Sequence, residues 1–211
     1  MLEEMMERYP ELESCREDIV KAKETLIACF QRGGKLLLCG NGGSCADCDH
    51  IVGELMKGFR SQRPLSCEKK AQMRSQYGDM EDDILEKLQN ALPAISLPSF
   101  TALNTAYAND VAPELMYAQG VLGLAAKNDI LLAISTSGNS KNVVAAAKVA
   151  KALGLQVIAL TGAAGGMLRT IADICICVPQ KETYKVQELH LPVYHCLCEE
   201  IEMYFFGEDS V

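Results

Sequence analysis

Hydrophobic residues are grouped along the chain into short continuous runs and into longer segments of mixed character. The continuous runs are at residues 35–39, 94–97, 130–134, 157–160 and 174–178. Such runs are typical of parallel strands covered on both faces, because both sets of alternating side chains are then buried. Helical segments lie between or after the strands, at about 44–57, 112–126, 140–153, 166–172 and 186–206. This alternation predicts an α/β fold: a doubly wound, five-stranded parallel sheet flanked by helices and joined by right-handed crossovers.

Residues 1–33 show the pattern of an amphipathic helix that precedes the first strand. Its apolar residues recur near helical spacing among charged ones, and Gly33 with Gly34 ends the run. The apolar positions are Leu12, Ile19, Leu26 and Phe30. We expect this N-terminal helix to pack on the domain or on another subunit, because an apolar stripe must be buried. With 211 residues, the chain is expected to form a single domain, 1–211.

Residues 61–92 interrupt the alternation between the first helix and the second strand. They are polar and mixed in charge, with a helical patch near 80–88. The segment is therefore expected to be a helical or irregular insertion. We favour a solvated surface excursion, and the alternative is a lid or an interface element over the site.

The composition limits the partners of the chain. A formal net charge of −8 argues against binding to nucleic acid or to an anionic membrane surface. No apolar run approaches the roughly 20 residues of a membrane-spanning helix, and the acidic N-terminus has no signal-peptide core. We therefore expect a cytoplasmic protein with no nucleic-acid or membrane partner, whose ten cysteines are reduced.

Polar turns follow two of the predicted strands. The first turn contains Asn41, Gly42, Gly43 and Ser44, and the second contains Ser135, Thr136, Ser137 and Ser140. Ligands of open α/β sheets bind beyond the carboxyl ends of the strands, where hydroxyls and helix N-terminal amides suit an anion. The spacing matches neither a P-loop nor a dinucleotide-binding fingerprint. Together the two turns predict a site for a phosphorylated small molecule.

His50 and Glu54 are a second candidate for chemistry. They are four residues apart, so they share one face of the helix that is predicted to begin near Ser44. Such a pair can ligate a metal or take part in proton transfer, although an isolated pair of this kind is usually an ordinary surface pair. The chain has three histidines, and the other two, His190 and His195, are close together in one late segment.

These motifs resemble those of the sugar isomerase (SIS) domain proteins, and most closely those of the phosphoheptose isomerases. The resemblance covers nearly the whole chain apart from residues 61–92. The residues that carry it are Cys39–Ser44, His50, Glu54, Asn109, Asp110, Ser135–Ser140, Leu160–Gly162, Gln187 and His195.

The resemblance implies an isomerase that interconverts sedoheptulose 7-phosphate and D-glycero-D-manno-heptose 7-phosphate. The implied phosphate-binding residues are Ser135, Thr136, Ser137 and Ser140. The other implied substrate contacts are Asn41, Gly42, Gly43, Ser44, Glu54, Asn109, Asp110 and Gln187.

The resemblance also implies an acid/base pair, a metal and an assembly. Glu54 and His195 would be the acid/base pair, and the assembly would be a homotetramer with sites at subunit contacts. A Zn²⁺ ion would be bound by His50, Glu54, Gln187 and His195.

Aldose–ketose isomerisation needs such groups, since a proton moves between adjacent carbons through an enediol. One group removes the carbon-bound proton and another serves the oxygens, while a metal would polarise the carbonyl. We assign Glu54 as the carbon base and His195 as the acid/base at oxygen, with the reverse assignment left open.

The spacing of Gln187 and His195 raises a difficulty for a shared metal. Eight residues of continuous helix span about 12 Å along the axis. One solution places Pro192 in the first turn of the helix, which leaves Gln187 on a preceding non-helical segment. The other solution takes the two ligands from different subunits, and we favour a site shared between subunits.

Two other functions compete with this hypothesis. Some SIS-domain proteins are non-catalytic, and they bind phosphosugars in regulation or bind a replication initiator protein. An isomerase of another phosphosugar would also fit the same scaffold. The full set of His50, Glu54, Gln187 and His195 favours an enzyme, because a pure binder has no chemical need for it.

Overall fold

The sheet has five parallel strands in the order β2-β1-β3-β4-β5. We describe residues 1–207 of a computed structural model. The strands are β1 (Leu36–Cys39), β2 (Ala94–Ser96), β3 (Ile130–Ser135), β4 (Gln156–Gly162) and β5 (Ile174–Val178). Every residue of β1 and β3 is buried, as expected for strands covered on both faces. The predicted fold class is therefore confirmed.

Helices cover both faces of the sheet. They are α1 (Leu2–Arg8), α2 (Arg16–Gln31), α3 (Gly43–Met56), α4 (Cys67–Gln76), α5 (Asp82–Lys87), α6 (Thr101–Asp110), α7 (Met116–Leu124), α8 (Lys141–Ala152), α9 (Leu168–Ile171) and α10 (Thr183–Phe206). One apolar core lies between the sheet and α1, α2, α3 and α10. The second core lies on the other face, under α7, α8 and α9. None of the helices within residues 1–207 is long and apolar enough to cross a membrane.

The N-terminal region is helical but divided, so the continuous helix predicted over residues 1–33 is wrong. The first helix ends at Arg8, and a short 3-10 turn over residues 10–15 leads into α2. Pro10 accounts for the break, because a residue before proline, here Tyr9, is disfavoured in the helical conformation. The predicted apolar positions are all buried in the core beneath α10 and the sheet: Leu12, Ile19, Leu26 and Phe30.

Other helix boundaries differ from the prediction for local reasons. The helix predicted over residues 112–126 begins at Met116, since Pro113 starts a 3-10 turn. The helix predicted over residues 166–172 begins only at Leu168, because Gly165 and Gly166 have positive φ angles of 70° and 55°. Helix α6 had no sequence signal, since its only buried residue is Asn104.

Residues 61–92 contain α4 and α5, of which only α5 overlaps the predicted helical patch. Helix α4 buries none of its residues, and α5 buries only Leu85. The two ends of the segment are held together by an isolated bridge between Pro64 and Gln89. These two helices therefore add little to the core, and the other buried side chains of the segment lie near its ends, at Arg63, Leu65 and Leu92.

The strand order places the topological switch point between β1 and β3. The chain leaves β1 for β2 on one side of it, and it leaves β3 for β4 on the other side, so the loops after β1 and β3 diverge at the carboxyl edge. Such a crevice is where open α/β sheets bind their ligands. It is bounded here by the glycine turn after β1 and the serine turn after β3.

Candidate active site

The glycine turn and the serine turn meet at the switch point. Asn41, in the turn after β1, exchanges two side-chain hydrogen bonds of 2.8 and 2.9 Å with Asn142 in the first turn of α8. Tyr117 of α7 donates from its hydroxyl to the carbonyl of Gly40, at 2.8 Å. The two turns that the sequence predicted as one site are thus neighbours in space.

The serine turn is held rigidly at the N-terminus of α8. The hydroxyls of Ser135 and Ser140 lie 3.0 Å apart, and the Ser137 hydroxyl accepts from the Asn139 amide at 3.1 Å. Gly138 has a φ of +67°, and a Cβ there would lie 2.0 Å from the carbonyl oxygen of Gly165. Only glycine fits this crossing of two loops.

Beyond its hydroxyls, the serine turn offers a helix N-terminus. Ser140 occupies the N-cap position of α8 without a side-chain bond to the helix amides. Thr136 is half-buried beside Ser137, which is exposed. Amides and hydroxyls that converge at a helix N-terminus form a site for an anion.

A cluster of His50, Glu54 and His195 lies where α3 packs against α10. Glu54 Oε1 is 3.1 Å from His50 Nε2 and 3.2 Å from His195 Nε2. One ligand atom from each residue lies within 4.8 Å of the others. The helical spacing brings His50 and Glu54 together as predicted, and the fold adds His195 from 141 residues further along the chain.

The cluster fits a divalent cation. Glu54 is 4% exposed, yet neither of its carboxylate oxygens has a hydrogen-bond partner among the described residues, and His195 Nε2 also has none. Buried acceptors without donors are costly unless another group satisfies them. Two imidazoles and one carboxylate are the donor set of many catalytic zinc sites.

Burial shifts the titration of this cluster. It raises the pKa of Glu54 above its usual value, although the charge of His50 opposes that shift. Burial and the charge of His50 both lower the pKa of His195. The pKa values of the two groups thus move toward each other, which suits proton exchange between them.

Gln187 lies in helix α10, and the idea that Pro192 starts this helix is wrong. The helix runs continuously from Thr183 to Phe206, with Pro192 inside it. Gln187 instead contacts the glycine turn, where a Cβ on Gly43 would lie 2.2 Å from Gln187 Nε2. Glycine is therefore required at position 43 for the Gln187 side chain to lie so close to the backbone. Gln187 thus connects the glycine turn to α10, the helix that carries His195.

Asn109 and Asp110 lie at the carboxyl end of α6, exposed to solvent. The Asn109 side chain donates to the Asp110 carboxylate at 2.8 Å. Within residues 1–207, no hydrogen bond joins either of them to the His50–Glu54–His195 cluster.

Tyr194, Tyr117 and Asn142 belong to the surroundings of the site and were not predicted. Tyr194 is buried, with its hydroxyl 2.9 Å from His50 Nδ1. No spacing rule identifies Tyr194 or Tyr117, because their partners are 144 and 77 residues away. Asn142 had a weak signal, since it follows Ser140 in the first turn of α8.

His190 is fully buried, and burial lowers its pKa to about 4. Neither of its ring nitrogens has a side-chain or backbone hydrogen bond of good geometry within residues 1–207. His190 is therefore neutral at physiological pH and serves as a core residue, which agrees with its exclusion from the predicted acid/base pair.

The strand order, the two turns and the cluster define an SIS-domain protein. Two family models, each described as SIS domain, match residues 2–89 and 102–198. A phosphoheptose isomerase from Roseiflexus sp. (strain RS-1) is 38% identical over 190 residues, which are 90% of this chain and 83% of that relative. The chain belongs to the phosphoheptose isomerase family.

Solved structures agree with this relationship. A phosphoheptose isomerase from Neisseria gonorrhoeae superposes with a TM-score of 0.74 at 31% identity, covering 95% of this chain and 94% of that one. One from Francisella tularensis superposes with a TM-score of 0.76 at 31% identity, covering 93% of this chain and 91% of that one.

Proposed function

We propose that the protein isomerises sedoheptulose 7-phosphate to D-glycero-D-manno-heptose 7-phosphate through an enediol or enediolate. The observation that carries this proposal is the contact of Glu54 Oε1 with His195 Nε2, 3.2 Å, in a chain of this family. A carboxylate and an imidazole in contact supply the two proton-transfer groups that the reaction needs.

The serine turn binds the phosphate of the substrate in this proposal. The binding groups are the hydroxyls of Ser135, Thr136, Ser137 and Ser140, together with the N-terminus of α8. The glycine turn, with Asn41, Gly42, Gly43 and Ser44, then holds the sugar, and Gln187 contacts both that turn and the sugar. The contact between Asn41 and Asn142 supports this division, because it keeps the two turns at a fixed separation.

Glu54 removes the proton from the carbon next to the carbonyl and returns it to the neighbouring carbon. His195 protonates the carbonyl oxygen and takes the proton from the adjacent hydroxyl, so no proton is lost overall. The raised pKa of Glu54 supports its role as a base, because a carboxylate in a buried site is more basic than one in water. The exchange of roles between the two residues remains the alternative assignment.

The cluster also supports a bound Zn²⁺ ion, held by His50, Glu54 and His195, with Gln187 as the fourth proposed ligand. When bound, the ion would polarise the carbonyl and stabilise negative charge on the oxygens. The Glu54 oxygens and His195 Nε2, which lack hydrogen-bond partners among the described residues, support this proposal. With the ion bound at Nε2, His195 would serve the substrate oxygens through Nδ1, and Glu54 would keep one carboxylate oxygen for the carbon-bound proton.

We infer that the site is completed in a homo-oligomer, and that the oligomer is a tetramer. Helix α6, its flanking turns and α7 carry exposed apolar side chains at Phe100, Leu103, Val111, Leu115 and Leu122. Asn109 and Asp110 lie at the end of α6 and are exposed, and in this proposal they contact a substrate at the subunit boundary. Light scattering tests this: we expect a tetramer, and full activity in a stable, dilute monomer would contradict a shared site.

We also propose a cytoplasmic location for the protein. All ten cysteines are free in the structure. Cys175 and Cys177 are among them, with their sulfur atoms 3.5 Å apart. A full set of free cysteines is typical of a reducing compartment.

A turnover assay on a panel of ketose phosphates, with and without chelator, tests the function directly. We expect isomerisation of sedoheptulose 7-phosphate, lost on chelation and restored by Zn²⁺. Tight phosphosugar binding without turnover on any substrate would instead favour a regulatory SIS-domain protein. That function is not favoured here, because a binder has no need for the buried cluster at Glu54.

A further inference from the structure

The imidazole of His50 has a different neighbour at each ring nitrogen. Its Nε2 is 3.1 Å from Glu54 Oε1, and its Nδ1 is 2.9 Å from the hydroxyl oxygen of Tyr194. A neutral imidazole carries one N–H, so the nitrogen that bears the proton cannot bind a cation. The Glu54 carboxylate favours a proton on Nε2, whereas a cation at Nε2 requires the proton on Nδ1, where Tyr194 is the neighbour.

Tyr194 makes a second contact that sets the direction of the hydrogen bonds. Its hydroxyl donates to Asp47 Oδ1 at 3.4 Å. An ionised carboxylate can only accept, and a phenol has one proton, so that proton is committed to Asp47. The Tyr194 oxygen is then left to accept a hydrogen bond from His50 Nδ1–H.

The fold holds these three groups in place. Asp47 and His50 are three residues apart on α3 and so share one face of the helix. Tyr194 reaches them from α10 and is 2% exposed, with its ring edge-on to the His50 ring at a centroid distance of 5.5 Å. A buried phenol locked between two helices has little freedom to reverse its bonds.

We propose that Tyr194 and Asp47 are positioning residues: the Tyr194 oxygen accepts the Nδ1–H of His50 when a cation takes the Nε2 lone pair beside Glu54. This role rests on the proposed metal centre, because without a cation the Glu54 carboxylate, 3.1 Å from Nε2, favours the Nε2–H tautomer. Partners that orient a metal-ligating histidine in this way commonly change metal affinity 10- to 100-fold when they are removed, so an effect of that order is expected.

Tyr194→Phe tests the proposal, because it removes only the hydroxyl. Calorimetry measures the zinc affinity of the metal-free protein, and circular dichroism verifies that the variant is folded. We expect zinc binding to be weakened about 10- to 100-fold in the variant. Tyr77→Phe is the matched control, since Tyr77 is 62% exposed and its loss of a hydroxyl should leave the zinc affinity unchanged.

Asp47→Asn is the second variant and does not depend on packing around the tyrosine. The amide can donate to Tyr194, which frees the phenol proton for His50 Nδ1 and shifts His50 toward Nε2–H. Wild-type zinc affinity in a folded Tyr194→Phe or in Asp47→Asn would overturn the role of Tyr194 and Asp47 alone. No zinc binding by the wild type would overturn both the proposed metal centre and this role.

Discussion

Glu54→Gln is expected to abolish turnover while the protein remains folded. The amide cannot accept a carbon-bound proton, and loss of a positioned general base typically costs about 10²- to 10⁴-fold in rate. The fold should survive, because glutamine keeps the size of the buried Glu54 side chain and removes a carboxylate that is costly to bury. Steady-state kinetics at saturating zinc measure the loss, so that a weakened metal site alone cannot explain it.

Two controls accompany this substitution. Glu24→Gln makes the same chemical change at an exposed position of α2 and should keep wild-type kinetics. Phosphosugar affinity should stay near the wild-type value in Glu54→Gln, because the serine turn that is proposed to bind the phosphate is untouched. Substantial isomerase activity in Glu54→Gln at saturating zinc would contradict the assignment of Glu54 as the base.

The sheet and half of the cluster could be predicted because their signals are local. The β1 and β3 strands are continuous apolar runs, which only a buried parallel strand explains well. His50 and Glu54 are four apart on one helix, and that spacing alone places them together. His195 joined the set only through the family resemblance, since nothing local connects it with residues so far away in the chain.

Other features could not be predicted, because their burial depends on distant partners. Helix α6 has no apolar stripe, since it packs chiefly on α7 and the turn between them rather than on the sheet. Arg63 stands in a polar segment and has the pattern of a surface residue. Its burial depends on Glu202 of α10, which is 139 residues later in the chain and lies beside it in the fold.

Arg63 and Glu202 form an ion pair that is fully buried between the insertion and α10. Arg63 Nε donates to Glu202 Oε1 at 2.8 Å, and both side chains are 0% exposed. The other two guanidinium nitrogens of Arg63 donate to carbonyls at the end of α3: Nη1 to Leu55 at 2.6 Å and Nη2 to Glu54 at 3.0 Å. The guanidinium also lies over the ring of Phe206, 4.8 Å from its centroid.

Glu202 is bonded to the backbone at the start of the insertion as well. Its carboxylate accepts from the amides of Phe59 and Arg60 at 2.8 Å and from Ser61 at 3.1 Å. Burial alone would raise the pKa of Glu202, but these amides and Arg63 together lower it below 4.5. The stability that Glu202 contributes is therefore complete above pH 4.5 and is lost as the pH falls through its lowered pKa.

Arg63→Met is expected to destabilise the protein by about 3–5 kcal/mol, because it leaves the Glu202 charge buried without its partner. Two carbonyls at the end of α3, the helix that carries Glu54, lose their donors as well. Urea unfolding at pH 7 measures the change. The free energy of unfolding of Arg63→Lys should lie between those of Arg63→Met and the wild type, because lysine keeps the charge but loses the planar guanidinium.

The exposed pair of Arg16 and Glu3 provides the matched control, and Arg16→Met should change the unfolding midpoint little. Replacing both members of the buried pair should cost less than the sum of the two single losses, because no charge is then left unpaired. The amides of residues 59–61 still lose their acceptor in that double variant, so recovery should be incomplete. A wild-type midpoint in Arg63→Met, or losses that simply add, would show that the pair does not anchor the insertion behind Glu54.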